Sequence, residues 1–507
     1  MLGRSKSQQI GLILGLVLAV GLQLLPRPDT LSPEAWLLAS LGLMMACWWA
    51  TEALPIAATA LVPIALFPLF GITSTGAATA PYASPIVMLL LGGFIVALAI
   101  EKWNLHARIA LNIVKKFGSR PTALIGGFMA ASALLSMWIS NTATTLMMIP
   151  IALKVAEEVE SEMPNLGDKA KFGTALALAV AYAASIGGMA TPVGTPTNLI
   201  GIGYLENEFG RSVDFAQWMA LGLPTVLLII PAAWLILTRF VFKLGKGEKS
   251  EAARQHLDAE LAKLGPMTQP ELRVAILFGT VALLWMGRVL PGELIGQPGM
   301  DWGWNPLLAS LSQGLELPVT LQLGNTQIAV MGALLAFLIP SGCPDKKGSA
   351  LMDWAGLARL PWNVIILFGG GLSLAAALSS TGLADFLGNQ MSFLESWPLP
   401  LLILAMVATV VFLTEVTSNV ATTTAFLPVL GVLAVNAGIP PEHLVVPVAI
   451  AASTAFMLPV ATAPNAIVYA SGAVSQGQMI KAGFRINLAA IVIISLIGVT
   501  LGPVFFG

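Results

Sequence analysis

Eleven stretches of this chain are predominantly apolar and close to or beyond the length of a membrane-crossing helix: 10–25, 35–51, 54–71, 85–101, 173–203, 216–239, 273–290, 325–340, 361–382, 444–472 and 486–505. A helix needs about 20 such residues to cross the hydrocarbon layer. Inside a bilayer each backbone polar group must be satisfied within its own segment, so stretches of this kind fold as helices. The composition points the same way, with 56% of residues apolar and 10% charged. A soluble domain carries about 25% charged residues. The 25 Lys and Arg against 26 Asp and Glu leave a net charge of −1, without the basic footprint of a nucleic-acid binder. Two cysteines, Cys47 and Cys343, make neither a disulfide framework nor a metal knuckle. The apolar run at 10–25 follows Arg4 and Lys6 as a signal peptide would. Pro26, Arg27 and Pro28 come next with no small-residue cleavage site, so the run reads as the first helix. The expectation is an all-α polytopic membrane protein.

Two further apolar stretches, 122–153 and 399–436, behave differently. If both enter and leave on one side, and the N-terminus is cytoplasmic, every Lys and Arg except Arg27, Arg211 and Arg288 falls inside. The inner clusters are Lys102, Arg108, Lys115, Lys116 and Arg120, then Lys243, Lys246, Lys249, Arg254 and Lys263, then Lys346, Lys347 and Arg359. The segments 291–324 and 383–398 contain none. A full crossing by either stretch would invert every later segment and destroy this asymmetry. Length agrees: a continuous helix over 122–153 would run about 48 Å, against a core of about 30 Å. The charge pattern therefore predicts two re-entrant hairpins and an outside C-terminus. The segment 240–272, with Glu251, Arg254, Asp258 and Lys263 among Ala and Leu, suits a short amphipathic helix or a solvated linker. No loop is long enough for a nucleotide-binding domain and no G-x-x-x-x-G-K-[ST] loop occurs, which argues against ATP-driven transport.

The second half repeats the first. PIVMLLLGGFIVALAIE at 85–101 resembles WNVIILFGGGLSLAAAL at 362–378, with Gly92-Gly93 against Gly369-Gly370. Ser140, Asn141, Thr142 and Pro150 then match Ser418, Asn419, Val420 and Pro428 at an offset of 278. Pro192, Val193, Thr195 and Asn198 match Pro459, Val460, Thr462 and Asn465 at an offset of 267. The first repeat approaches its interrupted stretch from inside and the second from outside, so the repeats are expected to be inverted. The organisation reads as N-terminal helices 1–51, repeat one at 52–240, a linker at 241–272 and repeat two at 273–507.

Taken alone, Ser-Asn-Thr is a common helix cap and a proline in a membrane helix is a packing kink. Recurrence of both, in the same order, in both halves turns them into a candidate binding site. Thr191 to Pro196 and Met457 to Pro464 interrupt apolar spans and free backbone groups. Freed carbonyls with Ser, Thr and Asn oxygens suit Na⁺, and N–H groups at half-helix starts suit an anion. Irregular backbone at membrane depth must line a cavity or be buried in protein. Glu52 is expected to end a helix at the interface and Glu415 to hold the hairpin scaffold by hydrogen bonds. His106, His256 and His443 are expected in solvated loops.

These residues resemble the divalent anion/sodium symporter family, which holds the INDY-type dicarboxylate and citrate transporters. The similarity runs from about Ala50 (ATEALPIAATALVP) to the C-terminus and is strongest at the two tips and at GTPTN and ATAPN. The resemblance implies eleven spans, two re-entrant hairpins, a homodimer in the cell's inner membrane and an elevator-type movement. It implies one Na⁺ site at Ser136, Ser140, Asn141 and Gly194, and a second at Thr414, Thr417, Asn419 and Ala461. Substrate carboxylates would meet Asn141, Thr142, Thr195, Asn419 and Thr462, with Val420 at the second tip. Val420 departs from the threonine of many members, which removes a hydroxyl from the pocket, and Ala463 departs from their proline on the same side. No Arg or Lys is expected in the cavity, so bound Na⁺ would have to neutralise a dianion. The implied activity is Na⁺-coupled import of C4-dicarboxylates such as succinate, malate or fumarate. Citrate or sulfate/phosphate carriage, or Na⁺-independent exchange, remains open on the same architecture. An enzyme would need clustered acids, His or metal ligands at membrane depth, and the sequence places none there.

Overall fold

The computed structural model describes residues 5–506 apart from 163–169, 246, 291, 293–301, 347 and 395. Arg4, Lys246 and Lys347 of the expected cytoplasmic clusters lie outside the described residues. Among the described residues the chain is helical, and the only strand-like pairings are two isolated bridges, Leu290–Trp302 and Pro340–Ala350.

Helices α1 (Lys6–Leu24) and α2 (Pro33–Thr51) form a pair, tied by hydrogen bonds from Trp48 Nε1 to the Leu12 carbonyl and from Gln23 Nε2 to Ser40 Oγ. The expected span at 54–71 is not one helix but two short ones, Ile56–Thr59 and Val62–Leu66. Pro55, Pro63 and Pro68 punctuate it at intervals too short for a span.

From there a sequence of elements occurs twice. The first comprises α3 (Pro85–Lys102), α4 (Leu105–Phe117), α5 (Pro121–Ser136), α6 (Asn141–Glu162), α7 (Ala170–Gly187), α8 (Pro196–Phe209) and α9 (Phe215–Leu235). The central linker holds α10 (Glu251–Lys263), and α11 (Gln269–Met286) and α12 (Asn325–Leu338) follow it ahead of the second copy of the sequence. The second comprises α13 (Trp362–Ser380), α14 (Leu383–Gln390), α15 (Leu399–Leu413), α16 (Asn419–Asn436), α17 (Glu442–Ala451), α18 (Ala463–Ala470) and α19 (Gln476–Phe506). Proline sets the starts: Pro85, Pro121 and Pro196 sit in the first turns of α3, α5 and α8, and Pro400 and Pro464 in those of α15 and α18. The expected amphipathic helix of the central linker is α10, which buries Ala253 and Leu257.

Six continuous helices among the described residues are long and apolar enough to cross a membrane: Thr75–Lys102, Lys171–Ala190, Phe215–Val241, Trp362–Ser380, Asn419–Asn436 and Gln476–Phe506. The other apolar helices are shorter, among them Pro121–Ser136, Asn325–Leu338, Leu399–Leu413 and Glu442–Ala451.

The halves interlock. Helix α18 of the second packs on α6 and α7 of the first, and α8 of the first packs on α16 and α17 of the second. Each broken segment is braced by a glycine of a long helix. A Cβ on Gly222 of α9 would lie 2.6 Å from the Met189 carbonyl oxygen, and one on Gly483 of α19 would lie 2.2 Å from that of Phe456. Only glycine lets these helices approach the breaks so closely. Met189 and Phe456 are themselves separated by the repeat offset of 267.

Candidate functional site

At each tip a short turn joins two helices, residues 137–140 between α5 and α6 and 414–418 between α15 and α16. The chain is held there by the same bonds in both halves. Ser136 Oγ donates to Asn141 Oδ1, and Thr414 Oγ1 donates to Asn419 Oδ1 at 2.6 Å. One turn on, Thr145 Oγ1 donates to the Asn141 carbonyl at 2.8 Å and Thr423 Oγ1 to that of Asn419 at 2.7 Å. Thr414 also bonds the Ala452 carbonyl at 3.0 Å, which ties the second tip to the second break.

The two breaks are equally alike. Asn198 Nδ2 donates to the carbonyls of Gly188 (3.0 Å) and Thr191 (2.7 Å). Asn465 Nδ2 donates to those of Ala455 and Leu458, both at 3.0 Å. Each of these partners is displaced by the same 267 residues. Thr195 and Thr462 are extended, at φ −143° and −142°, immediately before α8 and α18. Gly188 keeps space where oxygens gather, since a Cβ there would meet Asn141 Oδ1 at 2.8 Å and the Gly194 carbonyl oxygen at 3.0 Å.

Tips and breaks face one cavity of about 560 Å³. Its wall takes Ser140, Asn141 and Thr142 from the first tip and Ser418, Asn419 and Val420 from the second. Gly194 and Thr195 come from the first break, Ala461 and Thr462 from the second. Phe94, Ala97 and Leu98 of α3 and Asn363 and Val364 of α13 form the facing wall. Ser136 and Thr414 stand behind the cavity and reach it through Asn141 and Asn419. Thr417 does not face it; its hydroxyl bonds the Leu413 carbonyl at 2.9 Å and Thr422 Oγ1.

Three expectations change. Arg359 lines this cavity, beside Glu101, with Nη2 3.3 Å from Glu101 Oε2. The cavity therefore does contain a basic residue, the last of the short helical turn Trp354–Arg359. His106 and His443 are buried rather than solvated. Residues 105, 106, 110, 111 and 114 form the buried face of α4, where burial pushes the His106 imidazole below its ordinary pKa. His256 lies on α10 near Glu260 rather than in a loop.

Glu415 is where its expected scaffold role requires. Its carboxylate accepts from the backbone N–H groups of Phe456, Met457 and Leu458, at 2.7–3.1 Å, and from Asn487 Nδ2 at 2.7 Å. One buried anion thus joins the second tip, the second break and α19. Position 137 of the first half, the repeat mate of Glu415, is Met, and there Thr191 Oγ1 bonds the Met137 carbonyl at 2.5 Å instead. Asn198 and Asn465 are legible in the sequence as repeated residues, yet their part in holding the breaks is not. Glu52 ends α2 in a left-handed conformation, as a helix-terminating residue should.

Two sequence repeats, each with a broken helix and a polar tip facing one shared cavity, form the construction of a secondary transporter. The protein belongs to that class. The chain is a member of the sodium:sulfate symporter family, whose transmembrane region matches residues 6–507. It is 38% identical to the sodium-dependent dicarboxylate transporter SdcS of Staphylococcus saprophyticus over 504 residues, covering 99% of this chain and 92% of that one. It is equally similar to SdcS of Staphylococcus aureus strain NCTC 8325, 38% over 506 residues, covering 99% and 93%. The fold resembles the YdaH transporter of Alcanivorax borkumensis, with a TM-score of 0.55, 17% identity and coverage of 98% of this chain and 97% of that one. It also resembles MtrF of Neisseria gonorrhoeae, described as illuminating a class of antimetabolite efflux pumps, with a TM-score of 0.56, 13% identity and coverage of 98% and 95%.

Proposed function

We propose that the protein is a sodium-coupled symporter importing small divalent anions, C4-dicarboxylates such as succinate, malate or fumarate. The observation that carries this reading is the charge of the cavity. Apart from Arg359, which Glu101 offsets, its wall holds only neutral residues. A dianion brought into such a place needs countercharge, and co-bound cations supply it. In this reading each Na⁺ draws its oxygen ligands from one tip and the break beside it: Ser136, Ser140, Asn141 and Gly194 for the first ion, and Thr414, Thr417, Asn419 and Ala461 for the second, where the Thr417 hydroxyl would have to leave Leu413 and Thr422. Asn141, Thr142, Thr195, Asn419 and Thr462 would hold the carboxylates, with Val420 giving contact but no hydroxyl. The relatives named as dicarboxylate transporters favour this substrate class over sulfate.

In this reading the membrane-crossing helices and two re-entrant hairpins, 122–153 and 399–436, build two inverted repeats, 52–240 and 273–507, with 54–71 a broken segment of the first repeat and not one of its spans. The N-terminus is cytoplasmic, the C-terminus outside, and the protein works as a homodimer in the inner membrane by elevator movement of the hairpin-bearing part. The test is ligand-dependent thermal stability of the purified protein. Succinate should raise the unfolding midpoint in Na⁺ and not in choline. Stabilisation by sulfate alone would move the assignment to an inorganic-anion carrier, and equal stabilisation by succinate in choline would overturn sodium coupling.

A further inference from the structure

The pair at the cavity mouth differs from the other nearby charges. Lys102, the neighbour of Glu101, is already matched by Asp353 at 2.8 Å. His106 turns its Nδ1 to the Ile100 carbonyl at 3.3 Å. Arg359 is thus the cation that faces the cavity, and it meets Glu101 through a single N–O contact at 3.3 Å, not a two-pronged fork. The Arg359 side chain is 63% exposed and that of Glu101 is 13% exposed. A long single contact with a solvated arginine is weak and exchangeable. We propose that Arg359 is the docking cation for the dianion on the cytoplasmic side of the cavity, and that Glu101 is the built-in competitor that releases it. This rests on the symport reading above.

The cavity has one movable cation, the solvated Arg359, at its entrance. A dianion leaving the tips meets Arg359, which exchanges the single carboxylate of Glu101 for the doubly charged substrate. Glu101 then reclaims the guanidinium and the substrate departs. A fixed, unpaired arginine would bind the dianion well and let it go slowly; a neutral mouth would not attract it. The pair gives attraction without a trap, and its influence is on encounter and release rather than on the tips themselves.

The two charge removals therefore act in opposite directions. Arg359→Gln leaves Glu101 as a lone anion and raises the KM for succinate presented from the cytoplasmic side by about threefold to tenfold, more at low ionic strength. Glu101→Gln frees Arg359 and lowers that same KM by a comparable factor. Arg359→Lys, which keeps the charge, stays close to wild type. The KM from the outer side moves by less than about twofold in all three, since docking there does not involve this mouth. The experiment is labelled-succinate flux in inside-out and right-side-out vesicles, in Na⁺ and at two ionic strengths, with the unfolding midpoint of each variant measured alongside. Shifts of Arg359→Gln and Glu101→Gln in the same direction, or equal shifts from both sides, would show a merely structural pair and overturn this inference alone. Absence of Na⁺-dependent succinate flux in wild-type vesicles would overturn the functional reading and this inference with it.

Discussion

Asn198 and Asn465 offer the sharpest test of how the breaks are built. Each is fully buried, and each donates its two amide hydrogens to two carbonyls of its own break. Replacement by Ala removes both donors and strands two acceptors. At about 0.5–1.5 kcal/mol net per bond, the loss is about 1–3 kcal/mol. Replacement by Asp keeps the shape but points a carboxylate at two carbonyl oxygens, and a buried unpaired charge costs several kcal/mol. The expected order of stability is therefore wild type, then Ala, then the isosteric Asp. If the breaks supply carbonyls to Na⁺, the free energy needed to re-form them appears as weaker Na⁺ binding. A coupling of about 1–3 kcal/mol corresponds to an Na⁺ requirement raised about 5- to 150-fold. The assay is the unfolding midpoint in detergent followed by the Na⁺ dependence of uptake for each variant at both positions. Because the two sites share one geometry, the two Ala variants should behave alike. An Asn465→Asp protein with a wild-type midpoint and Na⁺ dependence would refute the reasoning.

Three further outcomes are expected. Glu415→Gln removes the charge from an acceptor serving three backbone N–H groups and Asn487, so it should cost about 1.5–3 kcal/mol and lower both midpoint and uptake; loss of neither would contradict its bracing role. Gly483→Ala places a Cβ 2.2 Å from the Phe456 carbonyl oxygen and should cost about 1–3 kcal/mol, whereas Gly21→Ala meets nothing within 4 Å and serves as the neutral control in the same thermal assay. Val420→Thr adds a hydroxyl to the cavity wall and should tighten succinate binding by about 2- to 13-fold in a calorimetric titration; unchanged affinity would mean that position 420 does not touch the substrate.

Much of the site is legible in the sequence because it occurs twice. A pair such as Ser140-Asn141 says little alone, but its recurrence at an offset of 278, followed in the same order by a second motif at an offset of 267, marks positions that must keep one geometry. The Asn side chains of the tips and the prolines of the breaks are readable for that reason. Arg359 is not readable as a cavity residue. By charge it groups with the cluster expected on the cytoplasmic side, and only the folded chain shows that it lines the cavity at the end of the turn Trp354–Arg359. The sequence misplaces His106 because a short amphipathic helix hides a polar residue on its packed side, a matter of rotation rather than composition. The stretch 54–71 looks like a span because hydropathy averages over prolines that a helix cannot absorb at such spacing. The double hydrogen bonds of Asn198 and Asn465 depend on a non-helical backbone path, which periodicity does not encode.

In the proposed symport, a cavity with no net fixed charge moves a dianion by carrying Na⁺ with it. Uptake of labelled succinate into proteoliposomes containing the wild-type protein tests this most directly. An inward Na⁺ gradient should drive accumulation above equilibrium, and replacing Na⁺ by choline should abolish it. Equal accumulation in choline would contradict the account.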